Sequence, residues 1–138
     1  MKQVRLIYSS AVTRDMSLQD LKNILDRARS NNASLNICGM LCYENNYFLQ
    51  VLEGERAAVT ELFIEIADDP RHDDIELIGF DYIEKPIFDN WKMGYAGGSP
   101  VFHKLLEKLD MESFEPGRLA PRQALAFLHH LSNHQSEI

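Results

Sequence analysis

Apolar and polar positions alternate along residues 3–10, QVRLIYSS, and the alternation sets Val4, Leu6 and Tyr8 on one face of a predicted strand. The period then lengthens. Ser17 with Asp20 predicts a helix N-terminus, and Leu18, Leu21, Leu25 and Ala28 recur at helical spacing with Ile24 beside them, an amphipathic helix over roughly 17–30. The small polar run SNNASLN (30–36) breaks that period and predicts the helix end, with Asn36 suited to a left-handed turn. ICGMLCY (37–43) resumes as a strand, ENN makes a tight hairpin link, and YFLQVLEGE (47–55) is the next strand, closed by Gly54. A second helix is expected over about 57–68 with Val59, Leu62, Phe63, Ile66 and Ala67 as its buried stripe, and Pro70 ends it, so that DDPRHDD (68–74) reads as a loop. IELIGFDYI (75–83) alternates again, KPIFDN turns the chain, and WKMGYA (91–96) predicts a short fifth strand carrying Trp91, Met93 and Tyr95 on one face.

The order β-α-β-β-α-β-β describes a ferredoxin-like α+β sandwich with both helices on one face of the sheet. Beyond AGGSP, Ser99 and Pro100 start a helix carrying Val101, Phe102, Leu105, Leu106 and Leu109, and Pro121 starts another with Ala124, Phe127, Leu128 and Leu131. Their apolar faces need cover, and the sheet face opposite the first two helices is open. The expectation is therefore an α+β domain at 1–97 and a C-terminal helical extension at 98–138, its two helices packed on that face.

With 138 residues, 45% hydrophobic and 25% charged, the chain can bury the core of one ordinary domain. A net charge of −7 argues against direct nucleic-acid binding, which needs a concentrated basic surface. No apolar run approaches the ~20 residues of a membrane span, and MKQVRLIYSS reads as a strand rather than a secretion signal, so a cytoplasmic protein is expected. Cys38 and Cys42 on one strand stand about 13 Å apart, beyond disulfide reach. They read as small core residues in a reducing compartment, and no metal is expected there or at His129, His130 and His134, which read as solvated.

One residue resists this reading. Gln50 sits in the middle of the otherwise apolar run FLQVLE, where an unpaired amide group costs on the order of 1–3 kcal/mol. A backbone group or buried water would satisfy it, and so would a polar ligand in an apolar pocket. Tyr8, Trp91 and Met93 lie on strands of the same sheet, and Asn31 and Asn32 stand at the first helix's expected end. Flat heteroaromatic rings with a uracil-like edge present a donor between two acceptors, which side-chain amides such as Asn32 and Gln50 match. An apolar slot between the helices, walled by Ile24, Leu25 and Ile66, would hold the body of such a ring.

The stretches RLIYSS, DLKNILDRARSNN, ICGMLCYENNYFLQVLEGE, DPRH and NWKMGY resemble, in order and spacing, the motifs of the BLUF domain, a flavin-based blue-light sensor, over residues 2 to about 97. The tail resembles that of short, single-domain members. The resemblance implies non-covalent FAD in a ferredoxin-like fold, and a switch rather than an enzyme. It implies that Tyr8 is the photoactive tyrosine and that Gln50 lies between it and the flavin, passing on the electron and proton transfer that light drives. It further implies ring, ribityl or phosphate contacts from Asn31 and Asn32, a place for Phe48 at the flavin, closure of the ring's far edge by Asp69, Arg71 and His72, and signal relay by Trp91 and Met93. The chain departs from the pattern at Asn36, where glycine is common, and at Glu65, where a basic residue would better suit phosphate; Arg27 or Arg29 are then the alternative phosphate partners. A homo-oligomer, or a separate effector reached through the C-terminal helices, is the expected output. The competing readings are a ferredoxin-like small-ligand or protein-interaction module without photochemistry and, less well supported, an acylphosphatase-like enzyme, for which SSAVTRDMS offers no glycine-rich phosphate cradle.

Overall fold

The computed structural model describes residues 2–135; the last residues of the expected extension, 136–138, lie outside them. The elements are β1 (Gln3–Val12), α1 (Leu18–Leu35), β2 (Cys38–Glu44), β3 (Tyr47–Glu55), α2 (Arg56–Ala67), β4 (His72–Ile83), β5 (Gly94–Ala96), α3 (Pro100–Lys108) and α4 (Pro121–Leu131), with a short 3-10 turn at Pro116–Arg118. The sheet order is β4-β1-β3-β2-β5, antiparallel except for the β2–β5 pair. This is the ferredoxin-like α+β arrangement with one added edge strand.

Strand alternation divides the core into two layers. Val4, Leu6, Tyr8, Leu41, Phe48 and Leu52 face α1 and α2, whereas Ile7, Cys38, Met40, Cys42, Leu49 and Val51 face α3 and α4. Phe102, Phe114 and Phe127 pack as a three-ring cluster beneath the second layer, with centroids 5.1, 5.3 and 5.9 Å apart. The two C-terminal helices thus cover the far face, together with Met111, Phe114 and Leu119 from the irregular segment joining them. Cys38 and Cys42 are free and buried. Among the described residues no group of histidine, cysteine and carboxylate side chains could hold a metal, and no helix is long and apolar enough to cross a membrane.

Local chemistry explains most boundaries. Ser17 Oγ accepts from the Asp20 N–H at 3.0 Å while Asp20 Oδ2 accepts from the Ser17 N–H at 3.1 Å, a reciprocal capping box. Asn45 and Asn46 both take positive φ, 55° and 62°, as a two-residue hairpin turn with the twist of its flanking strands requires.

Several expectations fail. Helix α1 does not stop near residue 30 but runs to Leu35, with Asn31 and Asn32 inside it and the left-handed cap at Asn36 (φ 55°). The low helix propensity of asparagine amounts to a few tenths of a kcal/mol per residue and is outweighed by a tertiary hydrogen bond from Asn32. Leu18 in the first turn is exposed, as is Ala67 at the end of α2. Strand β4 begins at His72, inside the expected loop. Strand β5 is only Gly94–Ala96: Trp91 precedes it and packs against the α3/α4 layer, whereas Met93 and Tyr95 belong to the α1/α2 layer. The three do not share a face because the segment before Gly94 is not extended, so a period of two does not apply to it.

Candidate functional site

Two helical stripes and a strip of sheet make one cleft. Ile24, Arg27, Ala28 and Asn31 recur at i, i+3, i+4 and i+7 on α1; Leu62, Glu65, Ile66 and Asp69 repeat that spacing along α2 and just beyond it. The stripes face each other over a floor of Tyr8, Leu41, Phe48 and Gln50, with Asn32, Arg71 and His72 completing a cleft that opens to solvent. Register builds the floor: Tyr8 opposes Gln50 across β1 and β3, and Gln50 opposes Leu41 across β3 and β2.

The amide of Gln50 is satisfied on both sides. The buried Tyr8 hydroxyl donates to Gln50 Oε1, and Gln50 Nε2 donates to Met93 Sδ at 3.4 Å. Burial, reinforced by the negative charge of Asp69, pushes the Tyr8 phenol far above its usual range, so the proton stays on the oxygen in the resting protein. Tyr8 is further enclosed by Phe63, 5.4 Å away edge-on, and by His72 at 6.4 Å.

Asn32 is fully buried. Its Nδ2 donates to the Lys92 carbonyl at 2.7 Å, while its Oδ1 has no partner among the described residues. Buried polar atoms are nearly always paired, so this acceptor, on a residue that lines the cleft, has the capacity to take a hydrogen bond from a donor there.

At the other end Arg71 clamps Asp69 through Nη2 to Oδ2 at 2.6 Å and Nε to both oxygens at 3.1 Å, which holds the Asp69 carboxyl down at about 2. His72 Nδ1 lies 2.8 Å from Ser10 Oγ, its ring 5.3 Å from Phe48, and burial holds it below its usual range. Arg27 lines the same cleft with no ion pair among the described residues.

Of the expected ligand residues, Ile24, Arg27, Asn31, Asn32, Phe48, Ile66, Asp69, Arg71 and His72 line the cleft with Tyr8 and Gln50. Leu25 does not: one residue past Ile24 is a 100° turn of the helix, which points it into the core instead. Arg29 also lies outside, its Nε donating to the Met93 carbonyl at 3.0 Å. Ala28, Leu41 and Leu62 line the cleft without having been expected there, although the i, i+4 partners of Ile24 and Ile66 were available as a signal.

A family model described as BLUF, sensors of blue-light using FAD, matches residues 3–94. A photoactivated adenylate cyclase subunit beta from Euglena longa is 46% identical over 70 residues, which is 51% of this chain and 8% of that protein, so the chain spans only a small part of this relative. The solved structure of BlsA in its photo-activated state superposes with a TM-score of 0.91 at 33% identity over 99% of both chains. That of BlrB, a BLUF protein in its dark state, superposes at 0.80 with 30% identity, over 96% of this chain and 97% of the other.

Proposed function

The chain belongs to the BLUF family, the sensors of blue light using FAD, and from that membership we propose that its cleft holds FAD and that Tyr8, Gln50 and Met93 form the switch that light operates. The observation that carries this reading is a hydrogen-bonded row in which one amide of the cleft floor bridges the buried Tyr8 phenol and the thioether of Met93, just before β5. The orphan Asn32 Oδ1 supports a ligand with an N–H donor, and the two apolar stripes suit a flat ring. Asn31 and Asn32 would hold the ring and its ribityl chain, Asp69, Arg71 and His72 its far edge. Arg27 would serve the phosphate end, because Arg71 is committed to Asp69 and Glu65 beside the cleft repels phosphate.

Bound FAD supplies blue absorption and, once excited, a strong electron acceptor. Beside a bound flavin Tyr8 would serve as the electron donor, and because oxidation makes a phenol strongly acidic its proton would pass to Gln50 Oε1, the atom it already faces. Both electron and proton return to Tyr8, and no substrate is consumed. What persists is the amide, rotated or tautomerised, with its donor and acceptor ends redistributed among Tyr8, the ring edge and Met93. A donor newly turned toward the ring would shift its absorption to the red. Met93 loses or changes its bond from Nε2, and through it β5 senses the state of the amide.

The output is a change in contacts with a second copy of the chain or a separate effector, made through the layer of α3 and α4. The relative named as a photoactivated cyclase pairs such a sensor with a catalytic function. Free buried thiols at Cys38 and Cys42 suit work in the cytoplasm. The test is an absorption spectrum of the purified protein before and after blue light: a yellow sample with a reversible red shift, absent in Tyr8→Phe, is expected. A colourless sample that yields no flavin on heating would refute the reading.

A further inference from the structure

Residues 84–93, between β4 and β5, are held from both faces of the sheet. On the cleft side Asn32 Nδ2 donates to the Lys92 carbonyl at 2.7 Å, Arg29 Nε donates to the Met93 carbonyl at 3.0 Å, and Gln50 Nε2 reaches Met93 Sδ at 3.4 Å. On the other side stands Glu53, whose carboxylate is fully buried. Its Oε1 accepts from the backbone N–H groups of Ile87 at 2.9 Å and Phe88 at 2.7 Å, and its Oε2 accepts from Arg5 Nε and Nη2, both at 2.8 Å. From Phe88 the chain continues under tight control: the Trp91 N–H donates to the Phe88 carbonyl at 3.1 Å, and the Trp91 carbonyl accepts from the Gly39 N–H at 3.2 Å, two residues before Met93.

A buried carboxylate is costly unless it is paired and hydrogen-bonded, and this one is completed by an arginine and two consecutive amides of a segment that has little regular structure of its own. Glu53 and Gln50 share β3 but, at an odd separation, point to opposite faces. The strand that carries the switching amide therefore also carries the anchor of the segment that delivers Met93 to it.

We propose that Glu53 is a positioning residue for the switch: by anchoring Ile87 and Phe88 it fixes Met93 against Gln50 and sets how long the light-induced arrangement lasts. The inference rests on the photoswitch reading above. Reversal requires the Gln50 amide to move back past Met93, and a loosened segment lets Met93 give way, so the barrier falls. The size of the red shift, which depends on the amide and the ring edge, stays as it is. An ion pair that merely stabilised the fold would lower the melting temperature without any specific effect on this lifetime.

The experiment uses the full chain with its bound flavin and follows decay of the red-shifted band in the dark after a blue flash. Arg5→Lys keeps the charge with fewer bonds, Glu53→Gln keeps an acceptor for the two amides but no charge, and Arg5→Met with Glu53→Leu removes the anchor while leaving no unpaired charge. Charge-assisted hydrogen bonds are roughly twice as strong as neutral ones, so recovery should quicken in that order, to about tenfold in the double variant. Leu106→Ala, a cavity on α3, is the control for stability loss and should leave the rate within about twofold of the parent. Variants that all revert at the parental rate, or a control that speeds recovery as much as the double variant, would overturn the inference alone. A parent without any reversible red shift would overturn the photoswitch reading and the inference with it.

Discussion

Replacing Asn32 by leucine should weaken flavin binding while leaving the flavin-free protein nearly as stable as before. The side chain is fully buried, donates one hydrogen bond to the Lys92 carbonyl at 2.7 Å, and leaves its Oδ1 unpaired. A buried unpaired acceptor costs about 1–3 kcal/mol, and a typical intramolecular hydrogen bond returns about 0.5–1.5 kcal/mol, so in the empty cleft the two contributions largely cancel. A ligand donor that pairs with Oδ1 recovers the larger quantity, and leucine, of similar volume and without polar atoms, forfeits it. The expected loss of about 1–3 kcal/mol is a factor of roughly 5 to 150 in dissociation constant. The assay is titration of flavin-free protein with FAD, followed by quenching of flavin fluorescence, alongside thermal melting without ligand. Unchanged affinity with a melting temperature lowered by many degrees would refute the reasoning, since Asn32 would then be a structural residue whose Oδ1 meets nothing in the complex.

Met93→Leu removes the sulfur that Gln50 Nε2 faces but keeps the volume, and because thioether contacts are weak, at about 1 kcal/mol or less, dark recovery should change by no more than about fivefold while the red shift is retained. Phe127→Ala deletes a ring from the three-ring cluster under α3 and α4 and should cost about 3–5 kcal/mol, read as a lower denaturation midpoint with flavin absorption intact in the protein that stays folded. His72 is held below its unfolded value of 6.5 by burial, so the folded protein resists the proton that the unfolded chain takes up. Its contribution to stability is therefore fully present above about pH 6.5 and is lost as pH falls through the depressed folded value; melting curves from pH 7.5 to 5 should decline more steeply in the parent than in His72→Gln.

The α1/α2 half of the molecule could be read from the chain because its strands are short apolar or alternating runs and its turns carry their own chemistry, such as the paired asparagines at 45 and 46. The same holds for the tail helices, whose starts are written in Ser99-Pro100 and Pro121. What could not be read depends on contacts distant in sequence. Asn31 and Asn32 look like a helix stop, and only the carbonyl of Lys92, 60 residues away, explains why the helix runs through them. Trp91 and Met93 look like one strand face, but the segment before Gly94, held at Phe88 by Glu53, at Trp91 by Gly39 and at Lys92 by Asn32, is not extended and puts them in opposite layers. Arg29 lies two residues past Arg27 and looks equally suited to phosphate, yet the turn of the helix gives the cleft to Arg27 and the Met93 carbonyl to Arg29.

Gln50 is the polar residue that the apolar strand does not explain; the structure gives it two partners, Tyr8 and Met93, and a bound flavin would be the third. The most direct test of that role is the light-minus-dark absorption difference of Gln50→Leu, which keeps the volume and removes both amide ends. The account predicts a protein that still binds flavin and is yellow but shows no reversible red shift under blue light. A red shift of parental size that forms and decays in this variant would contradict it.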